Sequence, residues 1–358
     1  MVPDALRTYN LTVKSHGRDT LGLPGTGANQ TGSVQLMLLV LVVNYRTPAL
    51  ALDCLRSLRG EIEHDPDVRV VVVDNDSRDG SVDIIANGIA EEGLAGWAAL
   101  VRSPRNGGFS YGNNLGLAAA VEGRTPLGPI RPDVVWLLNP DAYVRPGAVE
   151  AAMRFFATHP AAGIAGTGVE NADGTVWLSA FHFPTIWSEL DHALAFGPFT
   201  RLIRNRTALY PPSEEPRQVE WVSGASLLVR YSVIETLGFL DEGYFMYYEE
   251  TDYCLAASRV GIQCWQVPQS RVVHLLGKAS GVTGDEAHIR RRPHYWFASR
   301  ERYYRKNHGS AYWHMVNLLW CTVYPVGSLL RRLRGRPRQD PPFFWWDLFR
   351  YGYLGHRS

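Results

Sequence analysis

Continuous apolar runs, each followed by a stretch with helical spacing, make up the first 145 residues. Such runs are typical of strands that are covered on both faces of a parallel sheet. They predict strands at 34–43, 68–73 and 98–101, and a fourth within 134–144 that Pro140 stops just before Asp141. After each of the first three runs, a stretch with helical spacing has one apolar face. These faces are formed by Leu50, Leu52, Leu55 and Leu58 after the first run, by Val82, Ile84, Ile85 and Ile89 after the second, and by Leu115, Leu117 and 118–120 after the third. Alternating strands and helices predict an α/β fold with right-handed crossovers.

Local signals predict where these helices begin. Pro48 opens the first helix and Pro146 starts the fourth, since proline suits the first helical turn. Asp79 or Ser81 is the expected cap of the second helix.

Each predicted strand of this half ends in a polar cluster. The clusters are Asn44, 74–79, 106–114, and Asn139 with Asp141. Ligands of parallel α/β sheets bind beyond the carboxyl ends of the strands, so four clusters at one edge predict a binding site. Any one cluster also suits a turn. Asp141 offers a hard carboxylate for a divalent cation that holds substrate phosphates, or it is a solvated turn residue.

The pattern changes from Ile164 onward. Short strands are predicted within 175–181 and 220–230, with a flexible, proline-containing connection at 205–217. A helix is predicted to begin at Tyr231.

Three carboxylates then occur within four residues, at Glu249, Glu250 and Asp252. Crowded like charges raise one another's pKa, which prepares a general base. In a helix, Glu249 and Asp252 share a face while Glu250 points elsewhere. The alternative is a solvated first helical turn, where acidic residues favour the helix dipole.

Two further strands are predicted at 263–267 and 270–275, and the second carries His274 before a glycine loop at 277–281. A histidine in an apolar strand is more often a core residue than a ligand. Its position before the loop also suits a metal ligand.

Composition excludes several functional classes. The 358 residues carry a formal net charge of +1, without the basic field of nucleic-acid-binding proteins, so we expect no nucleic-acid partner. Cys54, Cys254, Cys264 and Cys321 form no C-x-x-C pair, which argues against a zinc module or a disulfide scaffold and fits a reducing cytosol. Residues 1–33 are polar and lack a signal-peptide core, so we expect a flexible tail.

The region 286–358 alternates basic and aromatic residues. Seven basic residues lie within 288–306, a mostly apolar stretch with polar breaks spans 311–330, and five arginines follow within 331–338. Polar breaks disfavour a membrane span and fit a helix in the membrane interface, with its arginines near anionic lipid. We expect peripheral binding at the cytoplasmic face of the plasma membrane. A helical cover for the α/β domain or a homo-oligomer interface is the alternative.

Taken in order, the polar clusters match a known family. The matching stretches are 43–45, VDNDSRDGS at 73–81, RNGGF at 105–109, LNPD at 138–141, WVSGA at 221–225, FLDE at 239–242, YEETD at 248–252, and His274. Over about 36–308 the chain resembles family 2 glycosyltransferases of the GT-A fold, in the rhamnosyltransferase-like branch.

The resemblance implies a Rossmann-like, mostly parallel GT-A domain at 34–285. Its nucleotide-binding half would be 34–145 and its acceptor-binding half 146–285, with a helical C-terminal extension at 286–358. The implied reaction is inverting sugar transfer from a nucleotide-sugar, with dTDP-rhamnose favoured, to a hydroxyl of a glycan or lipid-linked glycan in cell-surface polysaccharide synthesis. The implied cofactor is Mg²⁺ or Mn²⁺.

The resemblance also implies roles for individual residues. Asp141 and His274 would bind the metal, and Glu250 would be the base, with Glu249 and Asp252 as competitors. The nucleotide-sugar would contact Asn44, Asp74, Asn75, Asp76, Asn106, Gly108, Asn114 and Asn139. Trp221, Gly224 and Ala225 would line the sugar or acceptor pocket.

Two positions depart from the family pattern. Asn139 stands at the first position of the Asp-X-Asp metal motif, which implies modest metal affinity. Glu250 stands where the Glu-Asp base motif has its aspartate, and its longer arm reaches further. The first departure leaves open a catalytically weak or inactive sugar-binding protein of the same fold.

A dinucleotide-binding oxidoreductase is the competing enzyme class. It needs G-x-G-x-x-G between a strand and a helix. Gly25 and Gly27 precede every predicted strand, and Gly166 with Gly168 lacks the third glycine. No P-loop lysine pattern occurs either.

Overall fold

The structure is a computed structural model that describes residues 36–64, 67–203, 209–275, 290–335 and 341–355. Several sequence predictions fall outside these ranges. They concern the tail 1–33, the first two positions of the strand 34–43, part of the connection 205–217, the glycine loop 277–281, the boundary at 285/286, and Arg336 and Arg338.

The first half of the chain forms the parallel part of one sheet. Its elements are β1 (Leu38–Asn44), α1 (Pro48–His64), β2 (Val68–Asp74), α2 (Ser81–Glu91), β3 (Ala98–Arg102), α3 (Gly108–Val121) and β4 (Val134–Leu138). The strands lie in the order β3-β2-β1-β4, and each neighbouring pair is parallel. The predicted alternation is confirmed, and the carboxyl ends of these strands reach one edge.

Alternate residues of each strand face two separate cores, as continuous apolar runs require. Val40 and Val42 of β1 belong to one core together with Leu55 of α1, whereas Leu39 and Leu41 belong to the other. Both faces of the sheet are therefore covered.

The structure of α2 differs in detail from the prediction. Ile84 is 47% exposed, because the helix turns Ile85 and Ile89 into the core. The N-cap is Gly80, and the Asp79 carboxylate accepts a hydrogen bond from the Ser81 N–H at 3.1 Å. Asp79 therefore satisfies a donor of the first turn without being the cap.

The start of the fourth helix also differs. This helix, α4 (Ala148–Thr158), is preceded by Gly147 at φ 83°, so Pro146 lies just outside it. Pro48, by contrast, begins α1 as predicted.

The second half completes the sheet. Its elements are β5 (Ala142–Val144), α4, β6 (Ala162–Glu170), β7 (Val176–Trp177), β8 (Ala180–Phe181), α5 (Ile186–Leu194), α6 (Gly197–Leu202), β9 (Arg217–Val219), β10 (Trp221–Val222), β11 (Ser226–Arg230), α7 (Tyr231–Leu237), α8 (Glu249–Arg259) and β12 (Gln263–His274). The order of the main sheet continues β4-β11-β6-β12-β5, with β7 paired to β6 and β9 to β12, whereas β8 and β10 form a separate two-stranded sheet. β11 is antiparallel to β4 and β6, and β12 is parallel to β6.

The two strands predicted at 263–267 and 270–275 are one strand, β12. Its pairing with β6 shifts register between Val267 and Arg271. Pro268 lies in this interval, and proline has no N–H for the ladder, so it occurs in sheets at such irregularities.

The C-terminal region forms α9 (His294–His308), α10 (Ser310–Leu333), α11 (Phe344–Phe349) and a π-helical turn, Arg350–Leu354. Within the ranges that the structure describes, no helix has both the length and the apolar character needed to cross a membrane.

Pro325 explains how α11 attaches to α10. Proline inside a helix removes one N–H and frees the carbonyl four residues earlier. That carbonyl belongs to Cys321, and it accepts a hydrogen bond from the Trp345 indole at 2.8 Å. The Trp345 indole of α11 therefore donates to Cys321 the hydrogen bond that Pro325 cannot donate.

A buried ion pair joins α9 to α5. Glu189 accepts a hydrogen bond from Arg300 at 2.7 Å and another from the Tyr304 hydroxyl at 2.7 Å. Burial alone would raise the pKa of Glu189, but the adjacent guanidinium outweighs burial and lowers it. Such a pair adds little net stability, yet breaking one side leaves an uncompensated charge, so it specifies how the helices dock.

We predict that Gly327→Ala destabilises the protein, because α10 and α5 approach too closely for a side chain. A Cβ at Gly327 would lie 2.5 Å from the carbonyl oxygens of Ala193 and Leu194. The overpacking should cost about 1–3 kcal/mol of unfolding free energy in urea denaturation. Gly60→Ala is the control, since a Cβ there meets nothing within 4 Å. Equal stability of the two variants would contradict the close approach.

Candidate active site

The ends of β1 and β2 are joined by a buried hydrogen-bond network. Asp74 accepts hydrogen bonds from the Asn44 amide at 2.9 Å and the Ser77 hydroxyl at 2.6 Å through Oδ1, and from the Ser77 N–H at 3.0 Å through Oδ2. Both oxygens of Asp74 therefore hold the turn after β2. Ser77, which the sequence analysis did not single out, is part of this structure.

A second group of hydrogen bonds joins the loops after β2 and β3. The Asn75 amide donates to Asn106 Oδ1 and to the Gly108 carbonyl, each at 3.0 Å. Asp76 lies beside them at φ 59° and pairs with the exposed Arg78 at 2.7 Å. Asn75, Asp76, Asn106 and Gly108 thus share one edge of the sheet, as the sequence predicts for strand ends.

Asn114 and Trp221 have other surroundings. The Asn114 amide donates to the Leu240 carbonyl and to Glu242 Oε1, each at 2.9 Å. The Trp221 indole donates to the His182 carbonyl at 2.9 Å, and its ring packs in the core. Asn114 anchors the segment that leads to the acidic run, and Trp221 supports the loop after β10.

Asp141 and His274 meet across the pairing of β5 with β12. His274 Nε2 lies 3.1 Å from Asp141 Oδ1 and 3.3 Å from the Asn139 amide. The side chain of Asp141 is 2% exposed and that of His274 is 12% exposed. Two residues 133 positions apart therefore form a nearly buried carboxylate–imidazole pair.

The loop at 223–225 links this pair to the acidic run. The Asn139 N–H donates to the Ala225 carbonyl at 3.0 Å. A side chain at Gly224 would lie 3.5 Å from the carboxyl group of Glu250. Asp141, His274, Asn139, Ala225, Gly224 and Glu250 therefore occupy one continuous region.

The acidic run begins α8 and is buried rather than solvated. Tyr247 and Tyr248, just before it, have φ of 73° and 69°, which is strained for residues with bulky side chains. Glu249 and Glu250 are 5% and 6% exposed, and among the described residues nothing hydrogen-bonds to the Oε2 of either. Burial, together with the neighbouring Glu250 carboxylate, raises the pKa of Glu249 well above its ordinary value.

Sequence comparisons identify the family. The sequence profile of Glycosyl transferase family 2 matches residues 39–208. The chain is 32% identical over 226 residues to the N-acetylglucosaminyl-diphospho-decaprenol L-rhamnosyltransferase of Mycobacterium tuberculosis, which covers 60% of this chain and 68% of that protein. The chain belongs to the family 2 glycosyltransferases, in their rhamnosyltransferase-like branch.

Solved structures support the fold of this glycosyltransferase. The mannosyltransferase PcManGT of Pyrobaculum calidifontis, in complex with GDP-Man and Mn²⁺, superposes with a TM-score of 0.52 at 14% identity, over 85% of this chain and 76% of that one. GalNAc-T7 with UDP, GalNAc and Mn²⁺ gives 0.51 at 14% identity, over 90% and 55%. The fold is GT-A.

In this glycosyltransferase, Asp252 is bound by α9. Its two oxygens accept hydrogen bonds from Lys306 and Asn307, each at 2.6 Å. Lys306 also donates to Asp241 at 2.8 Å, and Arg302 donates to both oxygens of Asp241 at 2.8 Å. Although burial works in the opposite direction, these cations lower the pKa of Asp241 to about 2. No local sequence pattern predicts this contact, because it joins α8 to α9 through tertiary docking.

The described residues contain no group of three histidine, cysteine or acidic side chains arranged around a common metal position. Asp141 and His274 are a pair only. Their carboxylate and imidazole donors are nevertheless a combination that Mg²⁺ and Mn²⁺ accept.

We predict that Glu249→Gln changes how stability depends on pH. A raised folded-state pKa means that the native protein binds the proton more tightly than the unfolded chain, so wild-type stability falls as pH rises above the ordinary carboxyl pKa of about 4.3. Above that value, the unfolding free energy of the glutamine variant should rise relative to that of wild type by up to about 1.4 kcal/mol per pH unit.

Thermal unfolding of both proteins between pH 4.5 and 8 measures this difference. Glu63→Gln, the same change on the exposed side of α1, controls for the substitution itself. Parallel wild-type and Glu249→Gln profiles would show that the carboxyl group does not retain its proton.

Proposed function

We propose that this glycosyltransferase moves a sugar from a nucleotide-sugar to a hydroxyl group with inversion, and that Glu250 is the general base. The observation that carries the proposal is the continuous path from the Asp141–His274 pair, through Asn139 and Ala225, to Gly224 against Glu250. A phosphate-binding centre and a base at the ends of one short path suit a displacement at a sugar carbon.

The base chemistry is supported by burial. In the proposed step, the acceptor oxygen forms a bond to the anomeric carbon while the bond to the diphosphate oxygen breaks on the opposite face. The hydroxyl proton passes to Glu250, whose Oε2 lacks a partner among the described residues. Glu249 is similarly buried, and burial together with the Glu250 carboxylate raises its pKa, so Glu249 stays the competing candidate. Asp252 is a weaker candidate, because α9 binds both of its oxygens.

We propose that Asp141 and His274 bind Mg²⁺ or Mn²⁺. The near-complete burial of the pair and its mixed oxygen and nitrogen donors support the assignment. A bound divalent ion supplies positive charge that neutralises the diphosphate leaving group. Asn139 contributes an amide where the family motif has a carboxylate, so we expect modest metal affinity.

The nucleotide pocket is proposed at the edge formed by Asn75, Asp76, Asn106 and Gly108. The Mycobacterium tuberculosis relative is named as an L-rhamnosyltransferase acting on N-acetylglucosaminyl-diphospho-decaprenol. By analogy we propose dTDP-rhamnose as donor, a lipid-linked glycan as acceptor, and a place in cell-surface polysaccharide synthesis at the cytoplasmic side of the membrane.

We predict that Glu250→Gln lowers transfer by about 10²–10⁴-fold, because the acceptor proton loses its base. Donor binding, measured by calorimetry with dTDP-rhamnose, should stay unchanged. Glu250→Asp, which keeps the carboxylate, should retain part of the activity, and Glu249→Gln and Asp252→Asn test the competitors. Near-normal turnover of Glu250→Gln would remove Glu250 from this role.

Asp141→Asn should weaken activation by Mn²⁺, because one of two proposed ligands loses its charge. We expect the half-saturating Mn²⁺ concentration to rise at least about tenfold, the range that loss of a supporting ligand typically causes. Glu170→Gln is the control, because Glu170 is an acidic residue of β6 that pairs with Arg145. An unchanged Mn²⁺ titration in Asp141→Asn would argue against a metal at this pair.

A further inference from the structure

The outer side of α10 carries an apolar stripe that the protein itself does not cover. Its exposed members recur at helical spacing through the helix: Met315, Leu318, Val326, Leu329 and Leu333, with exposed fractions between 46% and 75%. The opposite side of the same helix packs against α5 and α9 through buried Trp313, Val316 and Tyr324. The helix is thus apolar on its inner and outer sides alike, which a helix facing only water would not be.

α11 extends the stripe with large aromatic side chains. Phe343, Trp345 and Trp346 are 65%, 42% and 45% exposed. Together with Pro325 and Leu329 they border a groove of about 460 Å³ between α10 and α11. The Trp345–Cys321 hydrogen bond holds this aromatic edge in place.

The described residues of α10 and α11 expose charge of one sign only. From 311 to 358 the sequence contains Arg331, Arg332, Arg334, Arg336, Arg338, Arg350 and Arg357 against Asp340 and Asp347. Asp347 is fully buried and is held by Arg291 at 2.8 Å. Arg332 lines the groove, and Arg334 is exposed at the end of α10. Between 310 and 335 and between 341 and 355, the surface therefore exposes no carboxylate.

We propose that the outer side of α10 together with α11 is a docking face for an anionic lipid bilayer. Leucine, valine and methionine side chains at the stripe enter the headgroup boundary, as in other interfacial helices. Tryptophans favour the same depth, and arginines pair with lipid phosphates. A second copy of the chain is a poorer occupant, because a self-interface would bring arginines together without carboxylates from this face.

The docking face is connected to the candidate base by aromatic packing. Phe344, at the groove, lies 5.8 Å from Trp296 between ring centroids, and Trp296 lies 6.4 Å from Tyr248, the residue before Glu249. The bilayer would then hold the enzyme by a surface that shares a core with the catalytic segment. This orientation of the site toward a membrane-bound acceptor rests on the proposed function, whereas the docking itself does not.

Flotation with lipid vesicles tests the proposal without donor or acceptor. Full-length protein should float with vesicles of phosphatidylcholine containing about one third phosphatidylglycerol, and far less with pure phosphatidylcholine. Leu329→Glu should abolish flotation. Arg332→Gln with Arg334→Gln should weaken it about 25-fold at low salt, at roughly fivefold per arginine.

Matched variants separate the face from general surface changes. Ile84→Glu places the same charge at an exposed residue of α2, and Arg124→Gln with Arg154→Gln removes two exposed arginines elsewhere; both should float like wild type. Thermal unfolding confirms that every variant is folded. Transfer to a water-soluble acceptor tests the proposed function separately, and Leu329→Glu should retain it.

Three results would overturn the proposal. Wild type that stays with the soluble fraction in the presence of anionic vesicles would exclude lipid as the occupant. Equal flotation of wild type and Leu329→Glu would exclude this face. A wild-type dimer that Leu329→Glu converts to monomer in sedimentation velocity, without flotation, would make the face an interface between copies.

Discussion

β11 runs against its neighbours in the middle of the sheet: it is antiparallel to both β4 and β6, whereas β6 and β12 keep the direction of β1 to β4. Because β11 is antiparallel to β4, the loop before β11 returns to the edge at which β1, β2 and β4 end. The hydrogen bond from Asn139 to Ala225 closes this return. The groups that we propose for phosphate binding and acceptor activation meet at this edge because this one strand reverses direction. This edge is where we propose that the chemistry takes place.

The C-terminal helices also hold the acidic segment in position. Lys306 and Asn307 bind Asp252, Arg302 binds Asp241, and the buried Glu189–Arg300 pair fixes the docking of α9 on α5. The acidic segment is therefore held on one side by the sheet and on the other by α9. Two carboxylates that would repel each other in water are kept together, at a cost that the surrounding packing offsets.

Much of this arrangement could be predicted from the sequence, because strand-end polar clusters follow local rules. The strands β1 to β4, the burial of both sheet faces, and the meeting of Asn75 with Asn106 all rest on residue spacing and on the edge rule for parallel sheets. The contacts of Asp252 with Lys306 and of Asn114 with Leu240 were not predictable, since they depend on tertiary docking across 54 and 126 positions. Ile84 and Pro146 show the limit of local rules, because helix phase and start were set by glycine-led turns.

The consecutive left-handed tyrosines at 247 and 248 have a wider consequence. Non-glycine residues in this conformation cost of order 1–3 kcal/mol each and persist only when their surroundings enforce them. Here the enforcing contacts come from rings on α9, namely Tyr295, Trp296 and Tyr303. We infer that a fragment able to keep the start of α8 in this conformation must include α9, and so ends well beyond the last strand. The part of the chain that the proposed catalytic residues need and the sheet domain therefore end at different positions.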